Sequence, residues 1–103
     1  MNILLVCAGG ISTSFFVQNI RKEFEKQKIT GTVMAKAITE VPEFIQHVDV
    51  IFIAPQAVFL KDRVEKICNF KNIPWQIIEP TIYGQMDGAK IIAIAEELIN
   101  QGG

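Results

Sequence analysis

A cysteine followed by two glycines and three hydroxyl residues is the part of this sequence best suited to covalent chemistry. Cys7 precedes Ala8, Gly9 and Gly10, and then the run Ile11-Ser12-Thr13-Ser14. Glycines allow a tight turn in which several backbone N–H groups point at one place, and such a turn binds anions. The positive end of a following helix dipole would favour the thiolate form of the cysteine. The segment therefore predicts a phosphocysteine site.

The residues on either side of this segment predict that it joins a buried strand to a helix. Residues 3–6 form a continuous apolar run, which is typical of a strand covered on both faces. From Phe16 to about Lys28, apolar residues recur at helical spacing, and Ser12 or Thr13 is predicted as the N-cap. Cys7 is thus predicted at the carboxyl end of a central strand.

Strands and helices alternate along the rest of the chain. Further strands are predicted at residues 32–38, 48–54 and 75–79, and helical segments at 40–47 with Thr39 as N-cap, after Gln56, and at 89–100. The uniformly apolar run 48–54 is predicted to be central, whereas 32–38 alternates only in part and is predicted at or near an edge. Residues 80–88 are rich in turn formers and are predicted as a loop. This order predicts an α/β fold over residues 1–103, a single three-layer domain with a four-stranded parallel sheet and helices on both faces.

Three further residues are predicted to lie near Cys7. In parallel α/β sheets, ligands bind outside the carboxyl ends of the strands. Gln56 follows the predicted third strand, and Tyr83 and Asp87 belong to the segment after the fourth. Tyr83 and Asp87 are candidates for a partner contact or for support of the Cys7 segment, although ordinary loop chemistry explains them equally well.

Composition and charge exclude several other classes of protein. The net charge of −1 argues against nucleic-acid binding, which requires a basic surface. Two cysteines and one histidine provide neither a disulfide framework nor a metal site, so no metal and no cofactor are expected. The sequence shows no signal peptide, and no apolar run approaches the roughly 20 residues that cross a bilayer. Cys68 is predicted in the core and His47 on the surface of a cytoplasmic protein.

Three motifs together resemble a family of bacterial phosphoryl carriers. Residues 7–14, Ala54-Pro55-Gln56 and residues 83–88 (Tyr-Gly-Gln-Met-Asp-Gly) are similar to those of the IIB component of the lactose/cellobiose type of sugar phosphotransferase system. The resemblance implies that Cys7 accepts a phosphoryl group from a phosphohistidine on the IIA component. It also implies transfer to a disaccharide of the cellobiose, chitobiose or lactose type held by the IIC permease, with residues 8–14 around the phosphate. Contact with the membrane would go through IIC alone.

The fold and the cysteine loop also resemble low-molecular-weight tyrosine phosphatases. In those enzymes an arginine stands where this chain has Thr13, followed by a hydroxyl residue that here is Ser14. A guanidinium would clamp two phosphate oxygens and stabilise the transition state, so its absence favours transfer over hydrolysis. The alternatives are a phosphatase or arsenate-reductase-like enzyme, a non-catalytic module that binds an anion, and a IIB component for another class of sugar.

Overall fold

Four strands form one parallel sheet in this computed structural model, which describes residues 1–8 and 11–102. The strands are Asn2–Val6 (β1), Thr32–Lys36 (β2), Val50–Ile53 (β3) and Trp75–Ile77 (β4). Their order across the sheet is β2-β1-β3-β4. The predicted fold is confirmed: the two most apolar runs are the central strands, and β2 lies at an edge.

Helices connect the strands and cover the sheet. They are Ile11–Gln27 (α1), Val41–Phe44 (α2), Lys61–Lys71 (α3), Pro80–Gln85 (α4) and Gly88–Gly102 (α5), with 3₁₀ turns at Ile38–Glu40, Ile45–His47 and Pro55–Leu60.

The sheet is buried on both faces because the side chains of its central strands alternate between two apolar cores. Ile3 and Leu5 of β1 pack with residues of α1 and α5, whereas Leu4 and Val6 pack with residues of α2 and α3. β3 repeats this alternation with Phe52 on the first face and neighbouring isoleucines on the second. Helices therefore lie on both faces of the sheet, which is the predicted three-layer arrangement.

The segment after β4 is helical, so the prediction of a loop at residues 80–88 was wrong. Pro80 is at the start of α4, where its fixed φ suits a helix and its missing N–H costs nothing. Met86, with a φ of 51°, ends the helix in the left-handed conformation. Residues that resemble turn formers therefore build a short helix and its stop.

Two predicted helix caps were also wrong. α1 begins at Ile11, so Ser12 and Thr13 are inside its first turn instead of preceding it. Thr39 is part of a 3₁₀ turn, and no side-chain cap bond is present at the start of α2. Pro42 does lie in the first turn of α2, as predicted.

The outer edge of β2 is covered at one point by a side chain of α1. The guanidinium of Arg21 donates a hydrogen bond from Nη2 to the carbonyl oxygen of Val33, at 3.2 Å. An edge strand has unpaired backbone groups, and Arg21 satisfies one of them.

Across residues 1–8 and 11–102, the structure contains no helix that is both long and apolar enough to span a bilayer.

Candidate functional site

Cys7 directly follows β1 and is still tied to the sheet. Its backbone N–H donates to the carbonyl oxygen of Lys36 at the end of β2, at 3.3 Å, and its Sγ lies 3.9 Å from the same oxygen. The residue is only 7% exposed. The pairing with β2 therefore continues one residue beyond the strand, and Cys7 is buried at the predicted strand end.

The segment after Cys7 leads at once into α1. Ala8 is exposed, Gly9 and Gly10 lie outside the described residues, and the backbone is helical from Ile11 onward. The side chains of residues 11–13 are also outside the described part, and Ser14 is exposed. A helix N-terminus concentrates N–H groups and the positive end of the helix dipole, and both favour an anion beside it.

The ends of β3 and β4 lie beside the end of β1. Ala54 N–H donates to the carbonyl oxygen of Val6 at 3.0 Å, and Ile78 N–H donates to that of Ile53 at 2.9 Å. The chain then continues into the segments that contain Gln56 and Tyr83. The structure thus brings Cys7, Gln56 and Tyr83 to one edge of the sheet.

Gln56 and Tyr83 are joined by a hydrogen bond. Nε2 of Gln56 donates to the hydroxyl oxygen of Tyr83 at 2.8 Å. The ring of Tyr83 is half-buried and tilted against the ring of Phe16 in α1, with 5.6 Å between the ring centroids. The tyrosine therefore contacts both the segment after β3 and the helix that follows the Cys7 segment.

Asp87 lies further along the same segment and caps a helix. Its Oδ1 accepts a hydrogen bond from Lys90 N–H at 3.1 Å, in the first turn of α5. The preceding residue, Met86, accepts a hydrogen bond at its carbonyl oxygen from Nδ2 of Asn19 in α1, at 3.1 Å. Phe16 and Asn19 were not singled out in the sequence, because helical periodicity marks them only as parts of α1.

Lys36 also escaped the sequence analysis, since it acts on Cys7 through its backbone carbonyl. Its ammonium lies 3.7 Å from a carboxylate oxygen of Glu40 and 4.6 Å from the ring centroid of Phe44. The charge of Lys36 is thus engaged by its own neighbours. Among the residues that the structure describes, no three His, Cys, Asp or Glu side chains are grouped so as to hold a metal ion.

The second cysteine and the histidine have the locations predicted for them. Cys68 is fully buried in the second core, and burial raises the pKa of its thiol to about 11. His47 is exposed. Neither residue is among those grouped with Cys7.

Large apolar side chains are exposed at the edge that contains Cys7. They are Phe15 in α1 and, directly after β3, Val58 and Phe59; we call these three residues the apolar rim. Phe59 is 72% exposed. A fourth, Phe70, is 83% exposed near the end of α3, where the chain turns back to the amino end of β4. Large exposed apolar side chains on such segments mark candidate surfaces for binding other proteins.

Comparison with known proteins gives one consistent family. Residues 2–94 match the sequence model described as phosphotransferase system, lactose/cellobiose-specific IIB subunit. The chain is 31% identical over 103 residues to the galactose-specific EIIB component of Lactococcus lactis subsp. cremoris, with 95% of each chain covered. The cellobiose-specific EIIB component of Lactococcus lactis subsp. lactis gives the same identity and coverage.

A solved structure agrees with these relatives. The cellobiose-specific phosphotransferase IIB component from Borrelia burgdorferi is 42% identical and superposes with a TM-score of 0.84, covering 100% of this chain and 94% of that one.

Proposed function

This chain belongs to the lactose/cellobiose-specific IIB family of the sugar phosphotransferase system, and from that premise we propose that Cys7 is its phosphoryl-carrying residue. IIB components of this system act as phosphotransferases in sugar transport and work with IIA and IIC partners. The observation that carries the proposal is the location of Cys7, between the buried strand β1 and a helix that begins at Ile11.

The reaction we propose is an in-line exchange of bonds to phosphorus. The Cys7 thiolate attacks the phosphohistidine of the IIA component, so that an S–P bond forms as the N–P bond breaks and the histidine leaves. Backbone N–H groups of residues 8–14 stabilise the oxygens of the transferring group, aided by the positive end of the α1 dipole. A sugar hydroxyl then attacks the phosphorus, so that an O–P bond forms as the S–P bond breaks. The Cys7 thiolate leaves, and the hydroxyl proton passes to solvent or to the released sulfur.

Two features favour transfer to a sugar over transfer to water. Thr13 stands where the related phosphatases have an arginine, so no guanidinium from that position clamps the phosphate. Asp87, an acidic residue of the segment after β4, accepts a backbone hydrogen bond at the start of α5, so its carboxylate is engaged there and not as a general acid for a leaving group. A carrier requires a phosphocysteine that lasts until its acceptor arrives, and both features serve that need.

The apolar rim is the surface that we propose for the partners of this site. Phe15, Val58 and Phe59 are exposed on segments that border Cys7, and uncharged side chains suit encounters that do not depend on the small net charge. We propose that IIA and IIC dock there in turn, with the chain on the cytoplasmic side of the membrane.

For the acceptor we propose a disaccharide of the cellobiose, chitobiose or lactose type, bound by IIC. Relatives with equal identity to this chain are named for galactose and for cellobiose. Such a spread fits a carrier whose sugar is selected mainly by the permease.

The decisive experiment is the intact mass of the protein after incubation with phosphoenolpyruvate and the upstream carriers, including a lactose/cellobiose-type IIA. The wild type should gain one phosphoryl group, the Cys7→Ser variant none, and the Cys68→Ser variant the same as the wild type. Cys68 is the matched control because it is the other free thiol and is fully buried. Loss of the gain in Cys68→Ser, or steady release of phosphate from an aryl phosphate by the wild type, would contradict the proposal.

A further inference from the structure

We propose that Gln56 and Tyr83 are positioning residues for phosphoryl transfer. Their contacts link the strand before the Cys7 segment (residues 7–14) to Phe16 in the helix after it, and we call this set of contacts the brace. This inference rests on the proposed function of Cys7. Neither side chain is assigned a contact with the phosphoryl group; their effect is on the backbone that surrounds it.

The brace begins at the strand that precedes the cysteine. Val6, the last residue of β1, accepts a hydrogen bond from Ala54 N–H at 3.0 Å. Gln56 comes two residues later, in the 3₁₀ turn Pro55–Leu60. The backbone around Gln56 is therefore fixed to the strand end from which Cys7 extends.

The brace ends on the helix that follows the cysteine. Gln56 donates to the Tyr83 hydroxyl at 2.8 Å, and the Tyr83 ring packs on Phe16 in the second turn of α1. Contacts thus run from Val6, before the Cys7 segment, to Phe16, after it. They set the distance between the thiol at one end and the first-turn N–H groups at the other.

The tyrosine hydroxyl has a distinct part in this arrangement. Tyr83 packs against both apolar cores, and a phenylalanine ring would fill the same space against Phe16. Only the hydroxyl reaches Gln56. A change from tyrosine to phenylalanine therefore removes the link to the β3 side and keeps the packing on α1.

The test is a double-mutant cycle with Gln56→Met, Tyr83→Phe and the two combined. Single-turnover phosphorylation by phosphorylated IIA is followed at increasing IIA concentrations, which separates the maximal rate from the half-saturating concentration. Each single variant should lower the maximal rate about three- to tenfold, the equivalent of one hydrogen bond, without changing the half-saturating concentration. The double variant should be no slower than the slower single variant, since both changes break the same bond.

Thr32→Val is the matched control. It removes another exposed hydrogen bond between side chains, from Thr32 Oγ1 to Asn2 Oδ1 at 3.0 Å, at the opposite end of the sheet. This variant should have a comparable melting temperature to the others and the wild-type maximal rate.

The inference is overturned if the single variants keep the wild-type rate, if their losses multiply in the double variant, or if Thr32→Val slows transfer equally. A rise in half-saturating concentration alone would also overturn it, because it would make Gln56 or Tyr83 a docking residue. If the wild type gains no phosphoryl group at Cys7, the proposed function itself has failed. If the wild type is phosphorylated and the variants match it, only the brace has failed.

Discussion

Gly88 is the position at which one added methyl group tests how closely α1 packs against α5. A Cβ built there would lie 2.9 Å from the carbonyl oxygen of Asn19, 3.0 Å from its carbonyl carbon and 3.0 Å from the nitrogen of Ile20. All three are backbone atoms of α1 and cannot rotate away. Gly88→Ala therefore forces the two helices apart by a few tenths of an ångström.

The expected cost follows from the kind of contact. Overpacking a well-filled core typically costs about 1–3 kcal/mol, against a gain of roughly 0.5–1 kcal/mol from replacing glycine within a helix. Taking the middle of each range, Gly88→Ala should lower the free energy of unfolding by about 1 kcal/mol. Urea denaturation followed by far-UV circular dichroism measures this as a lower midpoint, with an unchanged slope against urea concentration.

Gly84→Ala is the control, with an effect of opposite sign. Gly84 lies in α4, and a Cβ added there would have no atom within 4 Å. Its variant should be more stable than the wild type by about 0.5–1 kcal/mol. The reasoning is refuted if Gly88→Ala is as stable as the wild type, or if the two variants change stability in the same direction.

Two further predictions concern the second cysteine and the apolar rim. Burial raises the pKa of the Cys68 thiol from its ordinary 9.0 to about 11, so its contribution to stability is complete below pH 9 and lost as the pH rises through 11. Between pH 9 and 11, the difference in unfolding free energy between the wild type and Cys68→Ala should therefore shrink, by no more than about 1.4 kcal/mol per pH unit. A difference that does not change with pH would contradict the raised pKa of the Cys68 thiol. Phe59→Ser should raise the concentration of IIA that half-saturates phosphorylation at least severalfold. Phe70 is even more exposed but lies away from the Cys7 edge, so Phe70→Ser should leave this concentration unchanged. Equal effects of the two variants would contradict docking at the apolar rim.

The sheet could be predicted from the sequence because its central strands are buried on both faces. Residues 3–6 and 50–53 are continuously apolar, and a strand covered on both faces requires that pattern. The location of Cys7 at the end of β1 followed directly. Local composition was thus sufficient where burial alone determines the structure.

Local composition gave the wrong secondary structure where the same residue type is common in both turns and helices. Pro80 and Gly84 are typical of turns, yet proline also begins helices, and α4 is held in place by the packing of Tyr83 on Phe16. The burial of Cys7 depends on a backbone bond to Lys36, 29 residues away. The Gln56–Tyr83 bond spans 27 residues. Contacts of this kind depend on which strands become neighbours, and no local pattern encodes that.

The hydrogen bond from Arg21 to Val33 has a consequence for the protein at high concentration. An unpaired strand edge is a template on which a strand of another molecule can add, and repeated addition produces aggregates. β2 has such an edge, and the guanidinium of α1 occupies one of its carbonyl groups. A carrier that must diffuse from one partner to the next needs its copies to stay dispersed. In this chain a single charged side chain on the helix that follows the cysteine loop helps to keep neighbouring molecules from joining their sheets.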